Sequence, residues 1–110
     1  MPEFRYPEEM AITDHREDWT LCTLADSSHI QGLEMAARRW NLTSGARSPR
    51  CRVDRGTERF LYVIQGEGTA VIGGERLRLD RECVVWLEPG DAYNLEAGPG
   101  GLEVLEAHSD

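Results

Sequence analysis

Three side chains in the second half of the chain have the chemistry of a proton-transfer site. Asp54 and Glu58 are carboxyl groups close together in sequence, and partial burial would raise a carboxyl pKa toward neutrality, as acid/base work requires. Tyr93 can act as a general acid or donate a hydrogen bond to a carbonyl oxygen. These three residues are the predicted catalytic groups. The alternatives are acids that face water and a tyrosine packed with its hydroxyl satisfied.

Arginines alternate along the segment that contains these acids. All 12 basic residues are arginine, which excludes Schiff-base chemistry at a lysine and leaves guanidinium groups that clamp carboxylates or phosphates. An inward Arg59 would need a counter-charge from Glu58, from Asp54 or from an anionic ligand. We therefore predict Arg59 and Arg52 as substrate-binding residues and an acid as the ligand. A solvated, charged edge is the alternative.

Three further side chains, Cys51, Tyr62 and Trp86, are predicted to contact a substrate. No histidine lies near Cys51 in sequence to activate it as a nucleophile, so a small buried thiol is the alternative to a binding role. Tyr62 and Trp86 lie on predicted strands of the core, where packing is the alternative role.

Composition excludes several classes of protein. The net charge is −8, which argues against a nucleic-acid partner because phosphate binding needs a basic face. The longest apolar runs, such as FLYVI, are far below the roughly 20 residues that span a bilayer. No membrane partner is therefore expected. The beginning, MPEFRYPEEM, has no apolar signal region, and three widely spaced cysteines fit neither a disulfide framework nor a zinc pattern. We predict a cytoplasmic protein with reduced thiols.

The elements that position these residues are predicted to be short strands. They are Trp19–Ala25, Gly32–Trp40, Phe60–Ile64, Thr69–Ile72, Glu75–Leu79, Cys83–Leu87, Ala92–Glu96 and Leu102–Ala107. Strands separated by such frequent turn signals are typical of a sandwich or barrel in a single domain. Helix is the alternative for Gly32–Trp40, because its residues favour a helix by propensity.

Glycines mark the predicted turns between these strands. Gly66 and Gly68 predict one turn, the stretch AGPGG predicts another, and Gly73-Gly74 predicts a two-residue hairpin with positive φ. In the strand that follows this hairpin, alternation predicts that Leu77 and Leu79 point inward.

From about Arg39 to Leu105, the order of these elements resembles the cupin superfamily. LTSGARSP and FLYVIQGEG are similar to the first cupin motif, VIGGERLRL to the hairpin that follows, and VVWLEPGDAYNL to the second motif. The resemblance implies an all-β, antiparallel jelly-roll barrel over residues 19–110. Before it, the polar, proline-containing stretch at 1–18 predicts an extended or partly disordered arm. The resemblance also implies a homodimer, because members of the superfamily commonly pair.

Metal-bearing cupins hold the ion with two histidines and a glutamate from the first motif and a histidine from the second. The matching positions here hold Cys51 and Val53 in one register or Arg52 and Asp54 in the other, then Arg59 and Tyr93. The resemblance therefore extends to the barrel and not to the imidazole ligands, and we predict that no metal or other cofactor is bound. An atypical site built from Cys51, Tyr93 and a carboxylate is the alternative.

Three functional hypotheses follow for this chain. The favoured one is a metal-independent tailoring enzyme for a small, anionic or polycyclic metabolite. It would perform isomerisation, cyclisation, dehydration or hydrolysis with Tyr93, Glu58 and Asp54. The second is a non-catalytic sensor or carrier that binds such a molecule. The third is a structural partner of another enzyme.

Overall fold

The computed structural model describes residues 12–15, 18–25 and 35–109, and it folds them into eight strands without a helix among these residues. The strands are β1 (Ile12–His15), β2 (Trp19–Ala25), β3 (Met35–Leu42), β4 (Cys51–Arg52), β5 (Arg59–Ile72), β6 (Glu75–Leu79), β7 (Val84–Leu87) and β8 (Ala92–Ser109). All their pairings are antiparallel and join in one sheet. This confirms the predicted all-β class. The described part of the chain has no helix that could span a membrane.

The two longest strands, β5 and β8, organise the sheet. The strand order is β1-β2-β3-β8-β5-β6, with β4 paired to β8 and β7 paired to β5. β5 and β8 pair with each other on both sides of a register shift near Gly66 and Gly68. The bend there divides the sheet into two layers that face each other, since the side chains of Tyr93 and Glu106, from opposite halves of β8, meet in the interior. This arrangement is the rolled-up barrel that the sequence predicts.

The predicted turns at Gly66–Gly68 and at AGPGG are wrong, because both lie inside long, bent strands. The strands cross closely at the bend. A Cβ atom added to Gly66 would lie 2.3 Å from the carbonyl oxygen of Gly101, and one added to Gly68 would lie 2.1 Å from that of Glu96. The glycines therefore allow two backbones to approach each other where the sheet folds over.

The hairpin between β5 and β6 has the predicted form. Gly73 and Gly74 have φ values of 56° and 88°, the positive φ at both positions that a type I′ turn requires. The prediction that both leucines of β6 point inward is only partly right. Leu79 is fully buried, whereas Leu77 is 41% exposed. The reason is that β6 is an edge strand, so it has a neighbour on one side only.

The N-terminal part of the sheet bears out the strand prediction for the segment before Trp40. Met35–Leu42 is a strand and not a helix, while Gly32–Glu34 lie outside the described residues. Within the predicted arm, Ile12–His15 pair with β2. Residues 1–11 and 16–17 lie outside the described residues, so the arm and its boundary stay predictions.

Inward side chains from both layers form one core. Among the described residues, the fully buried apolar side chains include Trp40, Val53, Leu61, Val63, Ala70, Leu79, Leu87, Leu95 and Val104. Glu106 is equally buried, with no exposed surface. A carboxylate in this position must be paired and hydrogen-bonded, because an isolated buried charge is very costly.

Candidate functional site

Polar side chains occupy one end of the barrel interior, and strand register places them there. Arg38 on β3 pairs with Glu106 on β8. The next inward pair along the same two strands is Trp40 and Val104. Arg59, at the start of β5, lies opposite His108. Since inward residues alternate along each strand, charged residues fall on the same face as the apolar core.

Glu106 is the centre of this cluster. Its Oε2 accepts a hydrogen bond from Arg38 Nε at 2.7 Å and a second contact from Arg38 Nη2. Its Oε1 accepts hydrogen bonds from the Tyr93 hydroxyl at 2.5 Å and from Trp40 Nε1 at 3.2 Å. Both oxygens of the buried carboxylate are therefore satisfied by donors from β3 and from the first half of β8.

Arg59 completes the cluster from β5. Its Nη1 donates a hydrogen bond to the Tyr93 hydroxyl at 2.7 Å and lies 3.8 Å from Glu106 Oε1. The guanidinium carbon also lies 5.8 Å from the centre of the Tyr93 ring. Arg59 is only 7% exposed, and its Nε has no hydrogen-bond partner among the described residues.

Tyr93 connects the two layers of the barrel. It lies on the first half of β8 and is paired with Cys51 on β4, whereas Glu106 lies on the second half of β8. The Tyr93 hydroxyl donates to Glu106 and accepts from Arg59, so its single proton and one acceptor site are both used. The cluster thus joins the layers at the end where Cys51 also lies.

The environment holds each ionisable group in one protonation state. Burial raises the pKa of Glu106, but the charge of Arg38, the hydrogen bond from Tyr93 and the charge of Arg59 outweigh it and bring the pKa below its usual value. Burial and the Glu106 charge raise the pKa values of Tyr93 and Cys51. At neutral pH the cluster therefore contains a carboxylate, a neutral phenol, a neutral thiol and two guanidinium groups.

This carboxylate makes stability depend on pH. The folded pKa of Glu106 lies below the unfolded value of about 4.3, so its contribution is present above that value and is lost as the pH falls through the folded pKa. We expect the difference in unfolding free energy between wild type and Glu106→Gln to be largest near neutral pH and to shrink below about pH 4. Urea denaturation across this range measures it, and a constant difference would contradict the assignment.

A divalent metal does not fit the described side chains of this cluster. Guanidinium groups have no acceptor atom for a metal, and Arg59 stands where the resemblance places a glutamate ligand. Both oxygens of Glu106 already accept hydrogen bonds from Arg38, Tyr93 and Trp40. Residues 12–15, 18–25 and 35–109 contain no group of three or more histidine, cysteine, aspartate or glutamate side chains arranged to hold a metal.

The structure brings together three of the residues singled out from the sequence, Cys51, Arg59 and Tyr93. The counter-charge of Arg59 is Glu106, a residue that was not among the candidates predicted from the sequence. The binding and catalytic roles of these residues stay predictions.

The other five candidate residues lie away from the cluster. Arg52 on β4, and Asp54 and Glu58 in the loop that follows it, are exposed. Tyr62 alternates with the buried Leu61 and Val63 and so faces outward, and Trp86 is 59% exposed. Their predicted catalytic and substrate-binding roles have no support from this placement.

Three residues of the cluster were missed, namely Glu106, Arg38 and Trp40. A signal for the two charged residues was present in the sequence. Glu106 is in phase with the inward Leu102 and Val104, and Arg38 is in phase with Trp40. A charged residue at an inward position of a strand indicates a paired interior charge.

A cavity lies at the glycine bend, apart from the cluster. It has a volume of about 320 Å³, and its lining includes Gln65, Gly66, Gly101 and Glu103. Glycine backbone contributes much of this lining, and no set of ionisable side chains with shifted pKa values converges there. The interior cluster is therefore the stronger candidate for a functional site.

Comparison with solved structures gives similar folds over nearly the whole chain. KdgF from Halomonas sp. has a TM-score of 0.80 and 17% identity, covering 99% of this chain and 94% of its own. An RmlC-like cupin from Shewanella frigidimarina has a TM-score of 0.79 and 17% identity, with coverages of 99% and 91%. The polyketide cyclase RemF from Streptomyces resistomycificus has a TM-score of 0.79 and 15% identity, with coverages of 99% and 80%.

These likenesses confirm the cupin fold and the resemblance inferred from the motifs. No protein-family model matches the sequence, and no curated protein matches it. At identities below 20% the similarity concerns the fold and carries no function with it.

Proposed function

We propose that this barrel binds a small organic molecule at its polar end, without a metal, and that Arg38 and Arg59 recognise it. The observation that supports this most strongly is the buried cluster around Glu106, whose hydrogen bonds join side chains of β3, β5 and β8. Buried ion pairs are commonly no more stabilising than apolar residues of the same volume. A cluster of this kind, with shifted pKa values, is therefore better explained by a binding role than by stability.

Recognition is favoured over proton transfer because the groups are held in fixed protonation states. Glu106 is ionised, Tyr93 and Cys51 keep their protons, and the arginines keep their charge. A general acid or base works best with a pKa near the working pH. The cluster instead offers fixed charges and donors, which suit a ligand with an electronegative group.

A metal-independent tailoring enzyme is the second candidate, and the position of the Tyr93 hydroxyl favours it. This hydroxyl lies between Arg59 and Glu106, so if its hydrogen bond passed from Glu106 to a bound substrate, the hydroxyl and the charge of Arg59 would together stabilise an oxyanion that develops there. The presence of a polyketide cyclase among the solved structures with this fold is compatible with such chemistry. Turnover of a bound metabolite that is lost in Tyr93→Phe, with binding retained, would favour this candidate.

A ligand screen on metal-stripped protein tests the proposal. We expect at least one member of a metabolite panel to raise the melting temperature in the presence of chelator, because no ion takes part in binding. The shift should be lost in Arg38→Gln and kept in Arg39→Gln, since Arg39 lies on the outer face of the same strand and pairs with Glu103. Stabilisation that requires a divalent metal, or stoichiometric metal in the purified protein, would contradict the proposal.

The outer face of the sheet supports a homodimer as part of this proposal. Trp86 and Val84 are 59% and 61% exposed, and the Trp86 ring stacks on Phe60 with centroids 5.9 Å apart. Exposed apolar groups arranged together in this way are typical of interaction surfaces. The free thiols of Cys22, Cys51 and Cys83 support a reducing, cytoplasmic compartment.

Replacing Trp86 tests the dimer. We expect Trp86→Ala to weaken self-association by roughly tenfold or more, because buried tryptophans dominate interface energies. Light scattering coupled to size-exclusion chromatography over a dilution series measures it. Leu77→Ala is the matched control, since Leu77 is exposed on the other layer. A wild-type protein that stays monomeric at every concentration would exclude the dimer.

A further inference from the structure

The charges of the interior cluster do not balance. Arg38 and Arg59 contribute two positive charges, and Glu106 contributes one negative charge. Tyr93 and Cys51 stay neutral, because burial and the Glu106 charge hold their protons in place. Among these five side chains one positive charge remains without a partner. An unpaired charge in a partly buried site is unfavourable, so a single negative charge would complete the cluster.

The guanidinium of Arg59 shows where that charge fits. Its Nη1 is used by the Tyr93 hydroxyl, whereas Nε is buried and makes no hydrogen bond to the described residues. No described residue accepts a hydrogen bond from Nη2 either. Nε and Nη2 form one planar edge of the guanidinium, and two parallel N–H groups on such an edge match the two oxygens of a carboxylate.

Arg38 supplies the second part of the site. Its Nε and Nη2 contact Glu106 Oε2, and no described residue accepts from its Nη1. The Arg38 side chain is 25% exposed, whereas that of Arg59 is 8% exposed. Arg38 is therefore the more accessible of the two guanidinium groups, and Arg59 lies deeper in the barrel.

We propose that the ligand of this barrel carries a single carboxylate, which binds the Nε–Nη2 edge of Arg59 beside Arg38. The inference rests on the proposed binding function and narrows it to one chemical class. A phosphate monoester is a poorer fit, because its second negative charge would face the carboxylate of Glu106. A neutral amide is also a poorer fit, because it leaves the positive charge uncompensated.

Three probes with the same ring separate these cases, namely benzoate, benzamide and phenyl phosphate. We expect benzoate to bind roughly tenfold or more tightly than the other two, because a charge-assisted bidentate contact is worth more than a neutral one. Titration of isotope-labelled wild-type protein measures it, with the Arg59 Nε–H resonance as the direct reporter. Benzoate should shift this resonance strongly. An unmoved Arg59 Nε–H resonance at saturating benzoate would overturn the proposal.

Variants of Arg59 provide a second readout. Arg59→Gln and Arg59→Lys should each weaken benzoate binding by roughly tenfold or more, because glutamine lacks the charge and lysine lacks the planar edge. Arg39→Gln should leave the affinity unchanged. Circular dichroism melts establish that each variant is folded at the temperature used.

The outcomes separate this inference from the proposed function. If benzamide binds as tightly as benzoate, or if Arg59→Gln has no effect, the carboxylate assignment fails while the barrel remains a small-molecule binder. Tighter binding of phenyl phosphate than of benzoate would overturn the single-charge argument. If benzoate does not bind at all, the carboxylate site is wrong. The metabolite screen on metal-stripped protein then tests whether the barrel binds small molecules without a metal.

Discussion

Replacing Glu106 by alanine lowers the free energy of unfolding by about 3–5 kcal/mol, the usual effect of removing one partner from a buried charge pair. Arg38 and Arg59 both contact this carboxylate, so both lose their counter-charge when it is removed. Tyr93 and Trp40 lose the acceptor of their hydrogen bonds at the same time. Urea denaturation monitored by fluorescence and circular dichroism measures the change.

Glu103→Ala is the matched control for this prediction. Glu103 lies on the same strand but on the outer face, where it pairs with Arg39 at 3.6 Å. This pair is partly exposed, with side chains 34% and 17% accessible, and such a pair contributes roughly 1 kcal/mol, so the loss in the control should be much smaller than in Glu106→Ala. An equal loss in both variants would mean that Glu106 has no special role.

A triple replacement separates unpaired charge from lost packing. In Arg38→Met/Arg59→Met/Glu106→Leu all three charges are removed together, and apolar side chains of similar size take their places. We expect this variant to recover most of the stability lost in Glu106→Ala, because apolar replacement of a whole buried ion cluster is often neutral or stabilising. Benzoate binding should be absent from it. A triple variant that is both stable and unable to bind would show that the cluster serves recognition.

Gly66→Ala is the second replacement with a large expected effect. Gly66 has a φ of 88°, and an added Cβ would lie 2.3 Å from the carbonyl oxygen of Gly101. Alanine in this left-handed conformation costs about 1–2 kcal/mol, and forcing an atom into a packed contact costs about 1–3 kcal/mol more. We expect a loss of about 2–5 kcal/mol in the free energy of unfolding, measured by thermal and urea denaturation.

Gly74→Ala isolates the conformational part of this loss. Gly74 also has a φ of 88°, but nothing lies within 4 Å of the position of its added Cβ. The loss there should be about 1–2 kcal/mol, from backbone strain alone. If the two variants are equally stable, the close approach of the strands at Gly66 has no energetic importance, and the bend is more open than the structure indicates.

Much of the fold could be predicted from local pattern. Alternation and β-branched content located the strands, since these properties act over a few residues. The Gly73-Gly74 hairpin was also predictable, because a two-residue turn between strands needs positive φ at both positions. Gly66 was wrongly predicted to be a turn residue, because a glycine between two strands is typically a sign of a turn. A glycine with positive φ permits either a turn or a bend, and only the approach of Gly101 on β8 distinguishes them.

The candidate site was likewise only partly predictable from the sequence. The resemblance to the cupin motifs pointed to Cys51, Arg59 and Tyr93, because these positions are counted from motif residues nearby in sequence, but it did not separate them from Arg52 and Asp54, which are exposed. Tertiary structure alone decided that Glu106 is their counter-charge. β8 bends so that its second half lies across the interior from Tyr93, and a carboxylate distant in sequence lies 3.8 Å from Arg59. Electrostatic pairing depends on distance in space, and only the folding of the sheet determines that distance.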